Sequence, residues 1–351
     1  MRNSFASFPR LQRVRLASRQ VHCPGLCTFV FRADGEYTDA LAPAKAGQYV
    51  ALTANVGGSR VTRAYTLASS PRETERDGIY VFTVKKAGVL SGYLCDELRV
   101  GDCLDASVPY GDFVYDKNTD GGHVVGVAGG AGITALLSLA KAACESGEYT
   151  MTLFYCVENS FEFLFDEELD SLPKDRVKVV RVAANGMRES VEKGFFRREL
   201  IDKHVNLPFT LFMCGGDDFY RSVGREVDGH PLLRGVKTSP NGVTDRAAEP
   251  SEVYTLTVIL DGEKHAVPCR DNETVLVAME RAGLAARSAC HTGRCGFCRS
   301  IVSAGSYTVE RNHDTRTDDD KAAGIICPCC TYPESDIIIE VPRADWSGGT
   351  E

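Results

Sequence analysis

Cys290, Cys295 and Cys298 stand with four and two residues between them in the run Cys290-His291-Thr292-Gly293-Arg294-Cys295-Gly296-Phe297-Cys298. Six of the chain's 14 cysteines fall between Cys290 and Cys330, and the other eight are scattered through the first 269 residues. Scattered cysteines are usually small buried apolar residues, whereas a tight cluster of thiols is more often a metal site. Three thiolates on one loop with a fourth further along suit a [2Fe–2S] cluster. Such a loop must bend sharply and aim backbone N–H groups at sulfur, and Gly293 and Gly296 permit both. The distant sulfur comes from Cys327-Pro328-Cys329-Cys330. Four cysteines also suit tetrahedral zinc, but zinc ligands usually come as two close pairs.

A second set of reactive groups lies upstream. In Arg63-Ala64-Tyr65-Thr66, alternate residues face one side of a strand. Arg63 and Tyr65 can therefore meet a phosphate and an aromatic ring together, and the planar fork of arginine suits phosphate. By itself that tetrapeptide is an ordinary half-exposed strand surface. Gly88-Val89-Leu90-Ser91 follows after a strand ending Val84-Lys85-Lys86. Gly129-Gly130-Ala131-Gly132-Ile133-Thr134 follows one strand and precedes a helix, where glycines let backbone approach a dinucleotide pyrophosphate. Cys214-Gly215 ends a later strand; in isolation such a cysteine is simply buried.

The elements that must position these groups follow three rhythms. Up to about residue 115, short alternating runs such as Cys27 to Phe31, Tyr49 to Thr53 and Tyr80 to Val84 predict an antiparallel barrel or sandwich. From residue 116 to 235, strands at Val124 to Ala128, Thr150 to Val157, Val177 to Val182 and Phe209 to Met213 alternate with helices. Those helices are expected over Thr134 to Ala143 and Phe161 to Leu172, and the whole predicts an α/β parallel sheet. Residues 236–252 are polar, breaker-rich and linker-like. Residues 253–351 form a third, α+β domain, whose strands Tyr254 to Leu260 and Ile337 to Val341 bracket the cysteines.

A net charge of −8 argues against nucleic acid, which needs a basic face. No run reaches the roughly 18 to 20 apolar residues of a spanning helix. Arg2, Arg10, Arg13 and Arg15 have no apolar core behind them, so the start of the chain does not read as a secretory signal. A cytoplasmic protein is expected, in which disulfides are rare.

Taken together, the motifs resemble the ferredoxin–NADP reductase superfamily, with an antiparallel β-barrel flavin domain and a plant-type ferredoxin tail of β-grasp fold. The order of parts is similar to reductase components such as those of phenylacetyl-CoA epoxidase and of hybrid-cluster protein. The resemblance implies a flavin site of Arg63, Tyr65, Thr66, Val84, Gly88, Val89, Leu90 and Ser91, with FAD favoured over FMN. It implies a nicotinamide site of Gly129, Gly130, Ala131, Gly132, Thr134, Cys214, Gly215 and Asp217. Cys214 and Thr66 would stand beside the reacting rings. The cluster ligands would be Cys290, Cys295, Cys298 and Cys329, with Cys327 and Cys330 as packed neighbours and His291 as an exposed loop residue. Two positions depart from the family: Ala131 replaces a common threonine and Ala135 the usual proline.

The resemblance also implies a function: hydride from NADH or NADPH to FAD, then single electrons through the cluster to a partner redox protein. Tyr155-Cys156-Val157-Glu158-Asn159 carries an acid where NADPH-specific members carry Ser-Arg, which favours NADH, although Arg181 could supply charge from the next strand. An alternative is an electron-transfer subunit whose flavin is reduced by another protein; a redox-sensing module is a third reading. Tyr254 to Asp345 has a net charge of −4, which predicts an acceptor with a basic patch, met by Asp318, Asp319 and Asp320.

Overall fold

The computed structural model describes residues 11–186, 188–239, 249–284 and 287–342. Among these, packing makes two compact units: residues 11–50 with 65–239, and residues 51–64 with 249–342.

The first part of the chain holds β1 (Leu11–Cys23), β2 (Leu26–Ala33), β3 (Tyr49–Val56), β4 (Ser59–Thr66), α1 (Pro71–Asp77), β5 (Tyr80–Lys85), α2 (Val89–Asp96) and β6 (Cys103–Ser107). The six strands belong to one sheet, and β1 pairs antiparallel with both β2 and β6. Alternation drives this: Val14 and Leu16 are buried while Arg13 and Arg15 face water, the period-2 pattern of a half-buried strand. Gly57 and Gly58, at φ 60° and 85°, make the tight turn from β3 to β4. A pair of left-handed residues matches the twist of an antiparallel hairpin.

The middle part alternates strand and helix: β7 (His123–Gly129), α3 (Ile133–Ser146), β8 (Thr150–Asn159), α4 (Asp166–Ser171), β9 (Val177–Asn185), β10 (Val191–Lys193), α5 (Arg198–His204), β11 (Phe209–Cys214), α6 (Asp217–Val227) and β12 (Leu233–Thr238). The sheet runs β10-β9-β8-β7-β11-β12, parallel throughout. Its strands are apolar on both faces, one packing on α3 and the other on α5 and α6, as a covered parallel sheet requires.

Two expectations change here. The helix expected over Phe161 to Leu172 is confined to Asp166–Ser171. Phe165 is left-handed at φ 58°, and the Leu164 N–H is taken by the Tyr155 hydroxyl at 3.0 Å, so no helix propagates from Phe161. Strand β12 extends to Thr238 against β11, three residues into the segment read as linker; most of the rest of that segment, 240–248, lies outside the described residues.

The last part contains β13 (Val253–Leu260), β14 (Glu263–Arg270), α7 (Val275–Arg281), β15 (Ser300–Ala304), β16 (Tyr307–Val309), α8 (Asp318–Ala322), β17 (Ile325–Ile326), β18 (Thr331–Pro333) and β19 (Ile337–Val341). Its main sheet runs β14-β13-β19-β15-β17, with β13 and β19 parallel and β13 and β14 a hairpin. Leu256, Val258, Ile337 and Ile339 form its core with Val275, Ala278 and Met279 of α7. This is a mixed sheet grasping one helix, the β-grasp architecture expected for the tail.

Candidate functional site

The cysteine loop follows α7, and Cys290, Cys295, Cys298 and Cys329 are all buried. The backbone N–H groups of Thr292 and Cys295 donate to Cys290 Sγ at 3.3 and 3.4 Å. Cys298 and Cys329 bring their sulfurs to 3.5 Å. Hydrogen bonds from the Cys295 and then the Cys329 thiol lower the pKa of the Cys290 thiol. Thiol neighbours run Cys295–Cys290–Cys329–Cys298 and on through Cys327 to Cys330, so all six sulfurs form one group. Cys327 and Cys330 are also anchored to backbone: Cys330 Sγ reaches the carbonyls of Cys327 at 3.3 Å and His313 at 3.7 Å, and Cys327 Sγ that of Gly293 at 3.6 Å. Cys327 is itself lowered to about 4, first by the Cys298 thiol and then by that of Cys330.

Gly293 is needed twice over. Its φ is 72°, and a Cβ there would come within 2.2 Å of His313 O and 3.0 Å of Cys330 Sγ. Buried sulfurs, with backbone N–H groups on one of them, are the donor chemistry an iron–sulfur cluster takes.

His291 is not the exposed loop residue expected. It is 4% exposed and sits at φ 52°. Its Nε2 is 3.2 Å from Ser288 Oγ and 3.4 Å from Arg63 Nη1. Burial, reinforced by the Arg63 charge, lowers its pKa to about 3, so the ring is neutral. Asp320 also departs from expectation. It is buried, caps α8 through the capping box with Thr317, and pairs with Arg299 at 2.9 Å. Asp318 and Asp319 are exposed.

On β4, Arg63 gives Nη1 to both oxygens of Glu280, at 2.8 and 3.0 Å, and to its neighbour's carbonyl, Thr62 O, at 2.6 Å. Tyr65 meets the edge of Phe82, ring centres 6.5 Å apart, and Thr66 closes the strand. Val84 is buried near the end of β5, facing Cys27 of β2. Gly88 caps α2, and Ser91 Oγ accepts from Ala87 N and Gly88 N at 2.9 Å each. Leu90 is buried and Val89 61% exposed. The turn therefore presents the first backbone N–H groups of α2 at a water-facing surface, where a phosphate can be received.

Strand β7 is flanked by β8 on one side and β11 on the other. The loops after β7 and β11 consequently meet at a switch in strand order, where open α/β sheets bind ligands. Gly129 ends β7, Gly130 is left-handed at φ 52°, and Gly132 precedes α3. Thr134 Oγ1 donates to Ala131 O, which holds the turn without the family's proline. A Cβ on Gly132 would lie 2.0 Å from Cys214 O, so glycine is what lets the two loops touch. Phe219 of α6 packs against both Gly129 and Gly215. Burial pushes the Cys214 thiol up to about 11, with Ser239 pulling the other way; it is a neutral thiol at physiological pH. Asp217 begins α6 and is exposed.

Arg181 is held by Asp166 and Asp170, each at 2.7 Å, so its charge is matched within the protein. Glu158, at the end of β8, is exposed. Sequence reasoning missed Glu280, which is 4% exposed. The available signal was a carboxylate directly after the buried pair Ala278-Met279 on a short apolar helix.

Three family models match the chain: an oxidoreductase FAD-binding domain over residues 13–115, an oxidoreductase NAD-binding domain over 127–224 and a 2Fe-2S iron-sulfur cluster binding domain over 258–334. The chain is 27% identical to the glycine betaine monooxygenase reductase subunit of Pseudomonas aeruginosa, covering 89% of this chain and 90% of that protein. It is 28% identical to the NADH oxidoreductase HCR of Escherichia coli, covering 85% and 89%. The solved structure of phthalate dioxygenase reductase, described as a modular structure for electron transfer from pyridine nucleotides to [2Fe-2S], superposes with a TM-score of 0.70 at 22% identity. That likeness covers 94% of this chain and 98% of the other.

Proposed function

We propose that this chain, an iron–sulfur flavoprotein reductase of the ferredoxin–NADP reductase superfamily, is the NADH-dependent reductase component of an oxygenase system. It is an NAD(P)H-dependent oxidoreductase that passes electrons through FAD and a [2Fe–2S] cluster to a partner redox protein. The oxygenase as partner, the preference for NADH, FAD rather than FMN, and a cytoplasmic setting are the parts we add. The glycine betaine monooxygenase reductase subunit motivates the first. All 14 cysteines are free, which suits a reducing compartment.

One observation carries the reading: the glycine loop and Cys214-Gly215 are in backbone contact at Gly132, at the switch point of the parallel sheet. Flavin and cluster, when bound, supply the conversion of a two-electron hydride into single electrons; the protein orients them and sets their surroundings. Gly129, Gly130, Ala131 and Gly132 would carry the nicotinamide pyrophosphate on backbone N–H groups. Cys214 would lie beside the nicotinamide ring as a neutral thiol, excluding water rather than moving a proton. Arg63, Tyr65, Thr66 and the first turn of α2 would seat the flavin. Cys290, Cys295, Cys298 and Cys329 would hold the cluster. Glu158 exposed and Arg181 neutralised favour NADH, since a 2′-phosphate needs an unmatched cation.

Anaerobic titration of the flavin- and cluster-loaded protein tests this. NADH is expected to bleach flavin and cluster absorbance stoichiometrically, and NADPH only at higher concentration. Chromophores indifferent to both nucleotides would make the chain an electron-transfer subunit reduced by another protein. Mixing the reduced protein with a candidate oxygenase should reoxidise the cluster.

A further inference from the structure

Glu280 is a carboxylate on the last turn of α7, and its side chain is 5% exposed. A charge so buried is normally paired. Glu280 accepts from Arg63 Nη1 through both oxygens, at 2.8 and 3.0 Å, and from the Thr62 backbone N–H at 3.3 Å. Its Oε1 lies 4.0 Å from His291 Nε2. His291, in turn, touches Arg63 and Ser288, and directly follows the cysteine Cys290. A non-glycine residue in the left-handed region, as His291 is, persists where its surroundings fix it. Here the surroundings are Ser288, Arg63 and Glu280. All of these residues belong to the unit made of residues 51–64 and 249–342.

We propose that Glu280 is a positioning residue that couples flavin occupancy to the seating of the cluster loop. The inference rests on the reading above in one respect, that Arg63 meets a flavin phosphate. Of the guanidinium nitrogens, Nη1 carries the Glu280 contacts; the fork's other N–H groups are the ones a phosphate would take. A phosphate there fixes the guanidinium, and a fixed guanidinium fixes Glu280 and the His291 side of the loop. Such coupling is reciprocal: an intact cluster loop tightens flavin, and flavin steadies the loop.

The test measures loss of the cluster to an iron chelator, followed by absorbance, with FAD bound and after FAD is removed. It is run on the full chain as wild type, Glu280→Gln and Glu280→Ala. In the wild type, FAD is expected to slow chelation about fivefold or more, the lower end of ordinary coupling between sites. Glu280→Ala should abolish that FAD dependence, and Glu280→Gln, which keeps size but loses charge, should cut it to about half or less on the same scale. A purely structural role would speed chelation equally with and without FAD. Equal FAD dependence in wild type and variants, or none in the wild type, overturns the proposal. If Glu280→Ala does not fold, the Glu280→Gln comparison decides. The reductase reading stands or falls separately, on bleaching of the wild-type flavin by NADH.

Discussion

Gly132→Ala is the sharpest perturbation of the nicotinamide site. The added Cβ would lie 2.0 Å from Cys214 O, 2.5 Å from Cys214 C and 3.1 Å from Gly215 N. All three are backbone atoms, so no rotamer change relieves the clash. A tolerable carbon–oxygen contact is about 3.3 Å, which requires the glycine loop and the end of β11 to part by about 1.3 Å. Misplacement of about 1 Å can cost about 10²-fold in rate, or about 2.7 kcal/mol of barrier. We expect kcat/KM for NADH-driven flavin reduction to fall by that factor, measured by anaerobic stopped-flow. Flavin content should persist, because Arg63, Tyr65, Thr66 and α2 are untouched. Dithionite should still reduce both chromophores at the wild-type rate. A Gly132→Ala protein that takes hydride from NADH as fast as wild type would refute the reasoning, for then loop contact does not define the site.

Other consequences are simpler to check. Gly224 lies inside α6 with nothing within 4 Å of a Cβ placed on it, so Gly224→Ala should stabilise the fold by up to about 1 kcal/mol, read as a higher urea midpoint. Asp320→Lys should lower cluster content and cost at least about 1 kcal/mol, the worth of the α8 cap, whereas Asp318→Lys, fully exposed, should spare the cluster and slow only transfer to the acceptor. Burial raises the Asp320 carboxyl, but hydrogen bonds from Thr317 and the charge of Arg299 outweigh it and leave it below its ordinary 3.8. Its stabilising contribution is therefore complete above pH 3.8 and is lost as acid carries the pH through the lower folded value; cluster retention in an acid titration, compared with Asp320→Asn, reads this. Of the 14 cysteines Cys23 is the exposed one, so maleimide at neutral pH should label it first, and iodoacetamide at pH 8 should leave Cys214, with its pKa about 11, unmodified.

What could be read in advance was local. The spacing of Cys290, Cys295 and Cys298, the glycines after β7 and the apolar runs that became β2, β3 and β5 each express a constraint acting over a few residues. Burial of polar side chains was not legible, because it depends on what packs against them from elsewhere. His291 looks like a loop residue until Arg63, 228 positions away, closes over it. Asp320 reads as part of a surface run until Arg299 is brought beside it. The helix expected from Phe161 had adequate apolar spacing, but the Tyr155 hydroxyl claims the Leu164 N–H first. The sequence marks Gly132 for close approach to a pyrophosphate; its contact with Cys214 O is an additional demand that only the parallel pairing of β7 with β11 reveals.

The grouping of residues 51–64 with the C-terminal part also has a meaning for synthesis. Thr62 and Arg63 precede Glu280 by 218 and 217 residues, so a ribosome adding about 5–20 residues per second leaves them waiting about 10–45 seconds for that carboxylate. During that interval the β3–β4 hairpin emerges with its guanidinium not yet claimed by α7. On the proposed reading, a flavin phosphate could then meet Arg63 before the ferredoxin part exists. Chain order would thereby set an order of assembly on the nascent protein, with the proposed flavin seat offered first and the iron carrier last.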